Sequence, residues 1–385
     1  MSRARIACLL VGALSSIGCG VSTTPSEVPI SEATITVTDL AGREVTLKQP
    51  IERIVLIRGR DIYELALLLG EEMRGKLVAW GPDLKAYDRD GYEMFVEAYP
   101  WLADVPNIGS IYRDATSVEQ ILDLNPDLVI VENFMRERSH DSIDRMERAG
   151  IPLLFLETAN DPLVDPQRSL ALLGRILDRE DRSREINEFI EARLQEVYSK
   201  LDDIEEPSPS VYLEQGARGV ATFGWTWTYD SQRRLSCWAA IVGRLPSRNI
   251  AVGVVPNLTP VHPEYLLAKD PQLIIFTGAN WPTFPDTIRL GYTADPTDAR
   301  SRLRAYLGRP GWRDLQSVRS GRVHAIFHGF CMHAFNFVAL QQLAKWLYPA
   351  TFADLAPRER LDEFHRRFLP YACQGTWMIS LEDKG

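Results

Sequence analysis

Two stretches of the chain, VEQILDLNPDLVIVEN from Val118 and PEYLLAKDPQLIIFTG from Pro263, are near-copies of each other. With Glu119 set over Glu264, Leu122 falls on Leu267, Pro126 on Pro271, Leu128 on Leu273 and Ile130 on Ile275. Each copy reads as a short amphipathic helix, a polar-Pro turn and an apolar run of the kind that forms a buried parallel strand. A chain that writes this unit twice is constrained to build two similar α/β lobes. Its length agrees, since 385 residues exceed what one hydrophobic core usually supports.

The order of elements fits that scheme. ATITVTDLAGREVTL alternates like a hairpin around an Ala-Gly turn. Strand candidates then follow at 53–57 (RIVLI), 76–80 (KLVAW), 127–131 (DLVIV) and 152–156 (PLLFL), each leading into a helical pattern. Such alternation predicts a parallel sheet covered by helices. From Pro166 to about Asp203 the strands stop. Leu170, Leu173, Ile176 and Leu177 make one helical stripe; after the charged DREDRS break, Ile186, Ile190, Leu194, Val197 and Leu201 make a second. A rod of about 22 residues would be roughly 33 Å long. Strand-rich sequence resumes with SVYLEQG, LIIFTG and RVHAIF, and a last strong helix is expected from about Phe337 to Leu347. The expected organisation is a first lobe at 34–165, a linking helix at 166–206 and a second lobe at 207–385.

The first residues read as an export signal. Arg3 and Arg5 precede an apolar run from Ile6 to Leu14 and small residues before Cys19. Ser16-Ile17-Gly18-Cys19 resembles a bacterial lipobox, with Ser16 in place of the usual Leu, so 1–18 are expected to be removed and Cys19 lipidated. Ordinary cleavage nearby is the alternative. Residues 19–33 have the Ser/Thr/Pro bias of a tether. Past the first 20 residues no apolar stretch is long enough to span a bilayer. Cys237, Cys331 and Cys373 remain, an odd number, so at most one disulfide forms within the chain. Cys331 with Cys373 is one pairing; three buried thiols are the other reading.

The chain resembles the class III periplasmic substrate-binding proteins, which serve ABC importers of ferric siderophores, haem and vitamin B12. The likeness rests on TDLAGREVTL followed by ERIVLI, VPNIGS before VEQILDLNPDLVI, the linking helical segment, and EYLLAKDPQLIIFTG. RPGWRDLQSVRSGRVHAI and FVALQQLAKWLYPATF extend it over nearly the whole mature chain. The resemblance implies two Rossmann-like lobes joined by a single long helix, with a ligand cleft between them. It also implies a monomer working with a membrane permease and ATPase, in the periplasm or on the outer face of the cytoplasmic membrane. A ferric siderophore is the first ligand to expect; haem, cobalamin and other metal or oxyanion complexes stay open. No cofactor of the protein's own is expected, the metal arriving as cargo.

In open α/β sheets ligands gather beyond the carboxyl ends of the strands. The residues found there are Arg58, Arg60, Trp80, Tyr112 and Glu132 in the first half, and Trp225, Trp227, Tyr229, Trp281, His328 and His333 in the second. An arginine fork suits carboxylate or phosphate oxygens, and rigid aromatic faces suit a flat organic chelate. For Arg58 and Arg60 the competing role is a bridge to carboxylates such as Asp61; for the tryptophans it is core packing. His328 and His333 are possible metal ligands, although their spacing is not that of a helical metal pair. In the resembled family each lobe docks on permease arginines through an acidic residue at the start of the repeated helix. Here those positions are Glu119 and Glu264; favouring a helix N-terminus is the simpler local explanation.

The net charge of -9 argues against non-specific nucleic-acid binding and against a polybasic membrane surface. Walker, zinc-finger and dinucleotide fingerprints do not occur, nor do a nucleophile elbow or HExxH, so the chain is not read as an enzyme. A chelatase-like enzyme and an adhesin or sensor on the same scaffold are the rival readings.

Overall fold

In a computed structural model, residues 33–228 and 237–381 are described, without the side chains of 137 and 138. The signal segment, Cys19, the tether up to residue 32 and Tyr229 lie outside the described residues. The described residues cluster as one compact unit.

The hairpin forms first, with β1 (Thr34–Thr38) antiparallel to β2 (Glu44–Lys48). A fully parallel sheet follows in the order β4-β3-β5-β6, from β3 (Ile54–Leu56), β4 (Leu77–Trp80), β5 (Leu128–Glu132) and β6 (Leu153–Leu156). Its near-continuous apolar strands are buried, as a sheet covered on both faces requires. The helices between the strands are α1 (Ile62–Leu69), α2 (Asp83–Tyr87), α3 (Arg89–Ala98), α4 (Val118–Asp123), α5 (Met135–Arg138) and α6 (His140–Arg148).

The linking segment departs from the single rod expected over 166–206. It is two helices, α7 (Asp165–Ile176) and α8 (Glu180–Tyr198), followed by a 3-10 turn at Leu201–Asp203. Asp178 turns left-handed between them at φ 56°. Gly174 lets α8 come close, since a Cβ there would lie 2.5 Å from Ser183 Oγ. The charged DRED stretch is therefore the corner of a helical hairpin. α8 alone is about 28 Å long at 1.5 Å per residue.

The second sheet runs β11-β10-β9-β7-β8, from β7 (Ser210–Gln215), β8 (Arg248–Asn249), β9 (Leu273–Gly278), β10 (Val323–Phe327) and β11 (Met378–Ser380). All neighbours are parallel except β10 with β11. Its helices are α9 (Trp238–Gly243), α10 (Pro263–Lys269), α11 (Pro296–Tyr306), α12 (Gln316–Arg319), α13 (Phe337–Leu347) and α14 (Pro357–Phe368). The repeated sequence is a repeated structure: α4 leads into β5 as α10 leads into β9, and Asn125 and Asp270, each before its proline, both turn left-handed. The C-terminal segment caps this lobe. Trp377 is fully buried, with ring centroids 4.6 Å from Tyr292 and 4.8 Å from Phe327.

α7 packs on α1 of the first lobe, while α8 packs on α13 of the second. Arg182 of α8 spans both, donating to Leu67 O at 3.2 Å and to Arg367 O at 3.1 Å. Phe189 of α8 sits 5.4 to 5.9 Å from Phe337, Phe364 and Phe368. No described helix is long and apolar enough to cross a membrane.

Candidate functional site

The loops leaving the carboxyl ends of the two sheets meet in a seam. Arg60, just after β3, reaches Met332, which follows β10. Asp90 of α3 accepts from Asn280 and Thr293 of the second lobe, and Cys237 N donates to Ala159 O beyond β6 at 3.0 Å. Gly59 and Gly81 let β3 and β4 end close together, because a Cβ on either would sit within 2.3 Å of the other strand's carbonyl oxygen.

The two neighbouring arginines are used differently. Arg58 is buried between two carboxylates. Its Nε donates to Asp61 Oδ1 at 2.7 Å, and its Nη2 reaches Asp61, Glu132 Oε1 at 2.6 Å and Thr158 Oγ1 at 3.0 Å. Burial opposes its charge, yet Asp61 and Glu132 hold the guanidinium well above its ordinary range. Glu132 is fully buried in this cluster, where Thr158 also donates to it at 2.7 Å. Burial pushes the Asp61 carboxyl up to about 7 against the pull of Arg58. Burial, then Asp61, pushes Glu64 well above the usual carboxylate range.

Arg60 stands at the seam with a single carboxylate partner. Its Nε donates to Asp83 Oδ2 at 3.1 Å and its Nη2 to Tyr112 Oη at 2.7 Å. Its Nη1 faces only the Met332 thioether, at 3.3 Å, a weak acceptor. Tyr87 lies 5.9 Å below the guanidinium. Trp80 is buried beside Tyr92, with ring centroids 6.1 Å apart.

In the second lobe, Glu214 and Arg309 form a buried bidentate pair, with both bonds at 2.8 Å. Arg309 also donates to the carbonyls of Val220 and Thr222, at 2.9 and 3.0 Å, fixing the loop that carries FGWTW. That loop sends Trp227 inward and leaves Trp225 37% exposed over Arg218. His328 lies between Trp227 and Trp281, with ring centroids 5.5 and 5.1 Å away, and shares a 3.0 Å hydrogen bond with Thr277 Oγ1. Burial, then Arg60, pushes its imidazole down to about 3. His333 faces other partners. Its ring leans on Tyr63 at 4.1 Å, its Nε2 is 3.8 Å from Asp88 Oδ2, and its Nδ1 is buried without a hydrogen-bond partner. Burial, then Arg60, keeps it well below the ordinary histidine range. Among the described residues no group of three or more His, Cys, Asp or Glu is placed to hold a metal ion.

The Cys331–Cys373 pairing does not form. Cys331 is bonded to Cys237, with Cα atoms 5.1 Å apart, and Cys373 is a free thiol. Cys331 ends the turn after β10 and Cys237 opens α9, both at the seam end of the lobe. Cys373 approaches β11, where Asp362 of α14 is among its neighbours.

Glu119 and Glu264 occupy the same place in the two lobes, the exposed first turn of the repeated helix. Glu119 is paired with Arg145 at 2.5 Å.

The family model described as periplasmic binding protein matches residues 68–326. The chain belongs to that family. This periplasmic binding protein is similar to the crystal structure of a TroA-like relative, FepB from Veillonella parvula, at 30% identity and TM-score 0.83, over 90% of this chain and 100% of that one. It is 22% identical over 214 residues to YvrC of Bacillus subtilis, an uncharacterized ABC transporter substrate-binding lipoprotein. That stretch is 54% of this chain and 62% of YvrC, so less than two thirds of the relative's length is spanned. The Haemophilus influenzae molybdate-binding protein MolA shares the fold at 16% identity, covering 88% of this chain and 99% of that one, with TM-score 0.65. So does the haem-binding protein RhuT from Roseiflexus, at 22% identity over 78% of this chain and 100% of that one, with TM-score 0.54. The two-lobe α/β fold class is thereby established.

Sequence reasoning passed over Tyr63, Asp83, Asp88, Asp90 and Thr293, all of which meet at the seam. AYDRDGY carried a usable signal, since Asp88 caps α3 by accepting from Gly91 N at 3.2 Å. Asp83 and Thr293 join the site only through tertiary structure.

Proposed function

We propose that this periplasmic binding protein is the extracytoplasmic substrate-binding component of an ABC importer. It captures a metal chelate between its lobes, with a ferric siderophore as the first ligand class, and hands it to a membrane permease. Arg60 carries this reading. Its guanidinium lies at the seam with one nitrogen facing only a thioether, while Trp281 and Trp227 flank His328 on the opposite lobe. Ligand oxygens are stronger acceptors than that sulfur, so an anionic chelate would displace Met332 from Arg60. Arg58, Glu132 and Tyr112 shape the first-lobe wall, Trp80 packs behind it, and Trp225 and His333 belong to the second-lobe side; Tyr229, outside the described residues, is a further ligand contact of this reading. Lipidation at Cys19 would hold the protein at the outer face of the cytoplasmic membrane, with Glu119 and Glu264 docking on the permease.

Haem is the second reading, favoured by the neutral imidazole of His328 beside two indoles. A fluorescence titration with ferric siderophores, haemin, cobalamin and molybdate tests both. Saturable quenching by a ferric siderophore is expected, weakened about 10- to 100-fold in Arg60→Ala, the loss of one or two charge-assisted hydrogen bonds. No quenching by any of these compounds would overturn the proposal.

A further inference from the structure

Asp90 is buried, on α3 of the first lobe, and all of its hydrogen bonds described above run to the second lobe. Asn280 Nδ2 donates to its Oδ1 at 2.7 Å; Thr293 donates to its Oδ2 from the backbone at 3.1 Å and from the hydroxyl at 2.7 Å. Both partners sit in the segment after β9 that carries Trp281. The approach is built into that segment's backbone. Gly291 has φ 126°, and a Cβ there would meet Asp90 Oδ2 and Phe327 Cε2 at 3.3 Å each. Gly291 is also bridged to Thr376, giving Asp90 a fixed partner surface instead of a loose loop. Three donors on one buried carboxylate are stronger than three neutral contacts, and an oxygen left without its donor pays a desolvation penalty.

We propose that Asp90 is a positioning residue that clasps the lobes, and that through Asn280 it sets where Trp281 stands in the cleft. The bearing on ligand retention rests on the function proposed above; the clasp does not. A closed form held by Asp90 loses cargo slowly, and release requires the lobes to part at this carboxylate.

The test is hydrogen exchange over residues 279–294 of the ligand-free protein. Asn280→Asp sets two carboxylates against each other, and exchange there is expected to quicken at least about tenfold, with α13 unchanged. Asp90→Asn combined with Asn280→Asp reverses donor and acceptor while keeping every contact, because the new amide oxygen still accepts from Thr293. That pair is expected to restore protection to within about threefold of the parent, which a merely structural loss at α3 would not allow. Unchanged exchange in Asn280→Asp, or a double variant as fast as the single one, would overturn the clasp. Because no ligand is used, failure to bind any chelate would remove the proposed function and leave this result standing.

Discussion

Arg58 and Arg60 are two residues apart and read alike in the sequence, yet one is enclosed and the other faces the seam. The difference comes from Glu132 and Thr158, far along the chain, which complete the enclosure of Arg58 with Asp61. A cluster with several carboxyls around one guanidinium has a measurable consequence. Asp61 and Glu157 are each held up to about 7. The folded chain therefore keeps protons that unfolded carboxyls release at about pH 4. These groups favour the folded state at low pH, and that contribution is lost as pH climbs to about 7. Glu64, raised by burial, shares the environment. Glu64→Gln should raise the thermal midpoint at about pH 7.5, with the gain shrinking toward about pH 4.5. A gain that stays constant or grows in acid would contradict this account.

At the scale of elements, the long apolar runs were legible. β3 to β7, β9 and β10 all lie on runs marked by hydrophobicity alone, and α13 begins and ends at the expected residues. β8 and β11 were not legible: they are two and three residues long and exist because β7 and β10 offer them an edge. The hairpin of α7 and α8 was half legible, through its two stripes and charged break. The disulfide was hidden, because only the fold brings the ends of β10's turn and of α9 together. Cys237 and Cys331 tie the His328 turn to α9 across 94 residues of sequence. Cys237→Ser with Cys331→Ser is expected to lower unfolding free energy by about 2–4 kcal/mol. Urea unfolding measures it, and an unchanged midpoint would show that the bond adds nothing.

At the scale of the whole molecule, the repeated unit sets the plan. Two like lobes present Glu119 and Glu264 from equivalent helices, and the proposed function makes both of them docking residues for the permease. Changing both to Ala should leave chelate binding intact and abolish uptake by cells carrying the cognate permease. Full uptake would assign both carboxylates to helix N-termini alone. In the proposed function, cargo is held where the two sheets' carboxyl ends meet. Anomalous scattering from iron in crystals grown with a ferric siderophore tests it most directly. The account requires the iron peak between Arg60 and Trp281. A peak on any outer face, with the seam still closed by Arg60 and Met332, would contradict it.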